Sequence, residues 1–138
     1  MIAVDASVAF KWFKSDNEDY YQESSQLLKQ HLIGTSKILV PQFIFLELSN
    51  ALGTKTATSI ELAKKHIQNL YKFNLEVYLP SQKDIINSLI LAKKYNTSVY
   101  DMLYAVVAKR NKCKLITADR KFIEKTTFSH VIHISEYR

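Results

Sequence analysis

Five short runs of mostly branched apolar residues recur along the chain: IAVD (2–5), KILV (37–40), LEVYL (75–79), KLIT (114–117) and HVIHI (130–134). Runs of this length suit strands buried on both faces. The segments between them carry helical periodicity. EDYYQESSQLLKQHLIG (18–34) sets Tyr20, Leu27, Leu28, His31 and Leu32 near helical spacing, with Gly34 as a natural stop. PQFIFLELSNALG (41–53) predicts a helix with Pro41 in its first turn, where a missing N–H costs nothing. SIELAKKHIQNLYKF (59–73) and QKDIINSLILAKKY (82–95) are amphipathic, and Ser81 with Asp84 fits the spacing of a capping box. Further helices are expected over ASVAFKWF (6–13), from Val99 to Asn111, and over DRKFIEKT (119–126). Strands alternating with helices predict βα units, hence a three-layer α/β/α fold on a mainly parallel sheet of about five strands.

Composition adds exclusions. The 138 residues read as one domain, large enough for a real core. Only two Gly and two Pro argue against an all-β chain of tight turns, and no Gly-rich phosphate cradle is present. Cys113 is the single cysteine, so no internal disulfide forms; it is expected on a buried strand in a reducing compartment. The chain enters a strand at once without a basic leader, and its longest uncharged apolar run, Ile38 to Leu46, falls short of the roughly 20 residues of a membrane span. A soluble, cytoplasmic protein is expected, with no membrane partner. The net charge of +6 is compatible with a polyanionic partner.

The acids change the picture most. In an open parallel sheet, ligands bind outside the carboxyl ends of the strands, where strand order reverses. Asp5 closes the first strand, Asp119 follows KLIT, and Asp101 leads the helix feeding that strand. Glu47 lies among Phe43, Ile44, Phe45, Leu46, Leu48 and Leu52, a helix with no broad solvated face evident in its sequence. Each acid has a plainer explanation: Asp5 and Asp119 as N-caps, Asp101 as the partner of Ser98 in a capping pattern, Glu47 as a solvated helix residue. Together they make a stronger case. Like charges in one pocket raise each other's pKa unless a divalent ion neutralises them. Carboxylates without nearby Cys or His suit Mg²⁺ or Mn²⁺ rather than zinc. His130 and His133, three apart in a strand, point to opposite faces.

These motifs resemble the PIN-domain family of metal-dependent ribonucleases, and within it the VapC-type toxins of toxin–antitoxin pairs. MIAVDAS is similar to the family's opening strand, with Asp5 as first acid and Ser7 as its hydroxyl companion. LVPQFIFLELSNAL resembles the helix of the second acid, Glu47, and SVYDMLYAVVAKRNKCKLITADRKF the block of Asp101, Thr117 and Asp119. Residues 53 to 96 match only in element pattern. The resemblance implies a PIN-like fold and RNA hydrolysis by a metal-activated water. Asp5 and Asp101 would be principal ligands, Glu47 and Asp119 would complete the pocket, and Ser7 and Thr117 would orient water or carboxylates. It also implies a homodimer and a cognate antitoxin.

Lys11, Lys14, Lys109, Arg110, Arg120 and Lys121, together with Lys112 and Lys114, are candidates to track an RNA backbone. Trp12 and Phe13 suit core packing or a protein interface better than base stacking. Receiver domains and haloacid-type phosphatases also gather acids at strand ends. A receiver needs an Asp after its third strand and a Lys near its last, and LEVYLPS and HVIHISE lack them; the phosphatase motif needs a second Asp where Ser7 stands. A non-catalytic RNA-binding or scaffold domain is the remaining alternative.

Overall fold

The computed structural model describes residues 1–14 and 17–137. Strands β1 (Ile2–Val4), β2 (Ile38–Pro41), β3 (Glu76–Tyr78), β4 (Lys114–Thr117) and β5 (Val131–His133) form a five-stranded sheet in the order β3-β2-β1-β4-β5. All four pairings are parallel, with Ala3 opposite Leu39 on one side and Leu115 on the other. The chain builds outward from β1 to β3, then returns to lay β4 against the free side of β1. Strand order therefore reverses between β1 and β4, and the crevice of an open α/β sheet opens at the carboxyl ends of those two strands.

Every residue of β1 and β2 is buried, so the sheet centre is covered on both faces. The covering helices are α1 (Ala6–Ala9), α2 (Tyr21–Leu32), α3 (Ile44–Thr54), α4 (Ile60–Lys72), α5 (Gln82–Tyr95), α6 (Val99–Arg110) and α7 (Arg120–Thr126). The result is a three-layer α/β/α arrangement. Helix α6 buries Met102, Leu103, Tyr104, Ala105, Val107 and Ala108, and packs across β1, β2 and β4. A helix apolar on most sides belongs in a core rather than on a surface.

Local signals in the sequence set several boundaries. Gly34 has φ +82°, and the bonds Gly34 N–H to His31 O (3.0 Å) and Thr35 N–H to Gln30 O (3.0 Å) close α2 in a Schellman motif. Ser81 and Asp84 form the expected capping box at α5. Trp12 packs as the aromatic pattern suggested: its Nε1–H donates to Ser24 O at 3.0 Å and its ring meets Phe73 edge-on. His31 is fixed between two backbone groups, accepting from Ile38 N–H at Nδ1 (3.0 Å) and donating from Nε2 to Phe73 O (2.9 Å).

Four expectations require correction. Pro41 ends β2 instead of opening a helix; the next N–H, of Gln42, supplies the bond to Tyr78 O (2.9 Å), and α3 begins only at Ile44. Strand β3 is not buried on both faces, because it forms the sheet edge and leaves Glu76 and Val77 exposed. Cys113 is half-buried and precedes β4 rather than lying in it; burial pushes its thiol up. Arg110 is not a free cation for RNA. Its Nε donates to the fully buried carboxylate of Asp84, which also accepts from Tyr78 O–H (2.7 Å) and Ser81 N–H (2.9 Å).

Asp84 is thus a structural anion that ties α5 to α6 and to the β3 edge. Burial pushes its carboxyl up, but the donors from Ser81, Tyr78 and Arg110 outweigh it and hold the pKa at about 2. A depressed folded-state pKa means the stability it contributes is present above the usual value of 3.8 and is lost as pH falls through about 2. Arg110→Ala leaves the buried carboxylate short of its charged donor. It should cost about 1–3 kcal/mol in urea unfolding at pH 7, with a smaller difference at pH 2.

Candidate active site

At the carboxyl ends of β1 and β4, Asp5 holds the centre. It caps α1, accepting Val8 N–H at 3.2 Å, and its two carboxylate oxygens also accept the hydroxyls of Ser7 and Thr117. Ser7 Oγ in turn accepts Ala118 N–H at 2.9 Å, and Thr117 Oγ1 accepts Asp119 N–H at 3.0 Å. This lattice locks β1 to β4 across 112 residues of sequence and leaves the Asp5 carboxylate little freedom to turn. Asp119 caps α7 through Phe122 N–H (3.1 Å). The plain N-cap explanation is therefore correct for both residues, and it coexists with their place in the crevice.

Ser98 caps α6 by accepting Asp101 N–H at 3.0 Å, while the reciprocal bond that would complete a capping box is not formed. The half-buried Asp101 carboxylate is left for the crevice. Burial raises its pKa, the Ser98 side chain opposes the rise, and the charge of Asp119 adds to it. Glu47 reaches the same group from α3. Burial raises its pKa first; the Tyr104 hydroxyl, donating to Oε1 at 2.7 Å, lowers it, the Asp101 charge raises it again, and Lys55 lowers it. Asp5 rises to about 6 through burial, against the pull of Ser7, Thr117 and Val8, with a further upward push from Asp101. Asp5, Glu47 and Asp119 thus each lie within electrostatic reach of Asp101.

Among the described residues, no three Asp, Glu, His or Cys side chains converge into a ready-made cation cage. The acids are grouped but stand apart, as repelling like charges do. The donor set contains carboxylates and hydroxyls without imidazole or thiolate, which fits a hard oxygen-seeking cation such as Mg²⁺ or Mn²⁺. His133 is buried and bonded to Ser135 (2.7 Å), and His130 to Ala105 O (2.9 Å), so neither joins the acids.

The expected basic track is divided. Lys109, Arg110 and Lys112 follow or end α6, and Lys114 starts β4, so they sit at the edge of the sheet opposite the acids. Lys11 is only 8% exposed and pairs with Glu18 at 3.4 Å, because α1 and the 3₁₀ turn after it draw its stem into the core. Lys14 lies over the Phe10 ring, 4.8 Å from its centroid. Arg120, bonded to Ser135 (3.3 Å), and Lys121 start α7 at the acidic edge. Helix α3 also departs from expectation: it does have a solvent face, where Leu46 is 77% exposed. Glu47 sits at the border of that face rather than inside a wholly apolar helix.

Sequence reasoning missed Tyr104 and Lys55. Tyr104 is a tyrosine on an otherwise apolar helix, and a buried hydroxyl needs a partner; Glu47 is that partner, 57 positions away. Burial and the Glu47 charge together push the Tyr104 phenol far above its ordinary range, so it remains a donor.

A five-stranded parallel α/β sheet with four carboxylates grouped at its switch point defines a recognisable class. The PIN domain family model matches residues 2–127, and the chain belongs to the PIN-domain family. Among solved structures it is similar to PAE2754 from Pyrobaculum aerophilum (20% identity, TM-score 0.70, covering 97% of this chain and 89% of that one). It is also similar to a toxin–antitoxin complex from Klebsiella pneumoniae (14%, 0.72, 99% and 100%). A third is VapC20 of Mycobacterium tuberculosis, a sarcin–ricin loop cleaving toxin (11%, 0.67, 90% and 94%). At these identities the likeness is one of fold. No curated protein sequence matches.

The raised Asp5 pKa has a checkable sign. A carboxyl whose pKa rises from 3.8 to about 6 on folding makes the folded state lose stability as pH climbs between those values. In EDTA, the protein should therefore lose up to about 2–3 kcal/mol from this group between pH 4 and pH 7. Asp5→Asn should flatten that slope in urea titrations.

Proposed function

We propose that this protein is a metal-dependent endoribonuclease that hydrolyses RNA phosphodiester bonds in the cytoplasm and serves as the toxin of a toxin–antitoxin pair. The observation that carries the proposal is the placement of Asp5, Asp101 and Asp119 at the carboxyl ends of β1 and β4, with Glu47 brought within reach of Asp101 from α3. Membership of the PIN-domain family supports it, as do the RNA-cleaving toxin and the toxin–antitoxin complex among the structural neighbours.

Asp5 and Asp101 are the principal candidates to hold Mg²⁺ or Mn²⁺, with Glu47 and Asp119 completing the acidic wall. Bound there, the cation would reverse the local charge for an incoming phosphate and lower the pKa of an attacking water. The chain's own part is positional. Ser7 and Thr117 aim the two oxygens of Asp5, and Tyr104 steadies Glu47 through its hydroxyl. Ser98 holds the first turn of α6, which fixes where Asp101 enters. Without a cation the same wall repels phosphate.

Assembly is part of the proposal. Leu79, Ile85, Ile86, Leu89 and Ile90 are all about half or more exposed, a run of large aliphatics on α5 and beside the β3 edge. Monomeric proteins rarely leave so contiguous an apolar face bare. We assign it to a second copy of the chain, leaving the acidic crevice for substrate or antitoxin.

Purified protein given total RNA should produce discrete fragments with Mg²⁺ or Mn²⁺ and none with EDTA. Asp101→Asn should retain the native circular dichroism and lose more than the roughly 100-fold typical of disturbing a group that merely supports a metal ligand. Undiminished cleavage by that variant contradicts the proposal. Sedimentation should show a dimer that becomes monomeric in Ile86→Glu/Leu89→Glu.

A further inference from the structure

From Glu47 toward the end of α3 runs a cleft of about 740 Å³. Ser7, Glu47 and Tyr100 line its acidic end, and Asn50 and Lys55 lie farther along α3. Lys55, at the helix C-terminus, is eight residues beyond Glu47, about 12 Å along the axis. It is exposed, and among the described residues no carboxylate lies within ion-pair range of its ammonium. Its charge is nevertheless felt at Glu47. Of the four acids only Glu47 lines this cleft; Lys11 and Lys14 line it too, but Lys11 pairs with Glu18 and Lys14 lies over the Phe10 ring, which leaves Lys55 as its exposed cation.

Tyr100 immediately precedes Asp101 and is 64% exposed. Its ring leans on Phe43 (centroids 5.9 Å apart, planes at 48°), and Phe43 leans on Tyr104 (4.9 Å). Three aromatic rings thus lead from the Glu47 hydrogen bond out to solvent, and the last lines the cleft. A π-face beside the acids and an ammonium beyond them match the two recurring features of a nucleic-acid strand, base and phosphate. The walls of both this cleft and the neighbouring groove are mainly apolar, so it is the Lys55 ammonium, which the neighbouring groove lacks, that favours a nucleic-acid strand here.

We propose that a single RNA strand crosses this cleft with one base stacked on Tyr100 and a phosphate beyond the scissile bond held by Lys55. The inference rests on the ribonuclease reading and deepens it. Neither residue touches the reacting atoms; both are positioning residues that set the path of the strand and which nucleotide sits over the acids.

The test is binding of a fluorescein-labelled, phosphorothioate-linked 12-mer oligouridylate, which resists hydrolysis, to the full-length protein at fixed Mg²⁺, by anisotropy across a salt series. Lys55→Ala should lower the slope of log affinity against log salt by about 0.7, the contribution of one single-strand phosphate contact. Tyr100→Ala should weaken binding about tenfold with the salt slope unchanged. Lys55→Arg and Tyr100→Phe should behave as the native protein, which a purely structural role would not require. Unchanged affinity and slope in both alanine variants, or no binding by the native protein at low salt, overturns the proposed path. Because binding is read without cleavage, that result stands apart from the test of the nuclease reading, which is metal-dependent fragment formation and its loss in Asp101→Asn.

Discussion

The Asp5 carboxylate, gripped by one hydroxyl from α1 and another from β4, is the interaction on which the rest of the architecture turns. Ser7 comes from α1, just after β1, and Thr117 from the end of β4, and both bind the same side chain. The grip registers β1 against β4 at the one place where the sheet reverses its order. It also fixes a negative charge where the backbone of an α/β sheet opens toward solvent. Asp101 and Asp119 follow from the chain geometry, since α6 feeds β4 and α7 leaves it. Glu47 is the exception, brought in from α3 and tied by Tyr104.

Electrostatics gives the group its character. Burial raises the pKa of Asp5, Glu47 and Asp101, and the hydrogen bonds to Asp5 and Glu47 work against it. What distinguishes the site is that Asp101 raises Asp5 and Glu47 while Asp119 raises Asp101. Asp101 is therefore the charge through which the other three acids are linked. Asp84 shows the contrast. It is more deeply buried, yet Arg110, Tyr78 and Ser81 supply enough donors to hold its pKa near 2. That acid has its charged donor within the fold, while Asp5 and Glu47 are held only by neutral donors.

Much of this was readable before any coordinates. Short aliphatic strands with an acid at their ends specify both the sheet and the edge at which Asp5 and Asp119 emerge, because strand ends and helix caps are local features. Ser81, Asp84 and Gly34 likewise mark boundaries through nearby backbone bonds. The failures have a common cause. Whether Lys11 or Arg110 is free depends on partners at Glu18 and Asp84, and whether the 109–114 block faces RNA depends on which end of the sheet it occupies. Pro41 looked like a helix opener because sequence spacing does not reveal that Gln42 would supply the next sheet bond. Tyr104 and Lys55 escaped notice for the same reason: their roles exist only relative to Glu47.

The central claim is that the four carboxylates act together to receive a divalent cation. Calorimetric titration with Mn²⁺, repeated in buffers of different ionisation enthalpy, tests it directly, because a carboxyl half-protonated near pH 6 must release its proton to coordinate a metal. Binding accompanied by proton release at pH 6, fading by pH 8, is the predicted result. An absence of binding, or binding whose proton release does not change between those pH values, would contradict it.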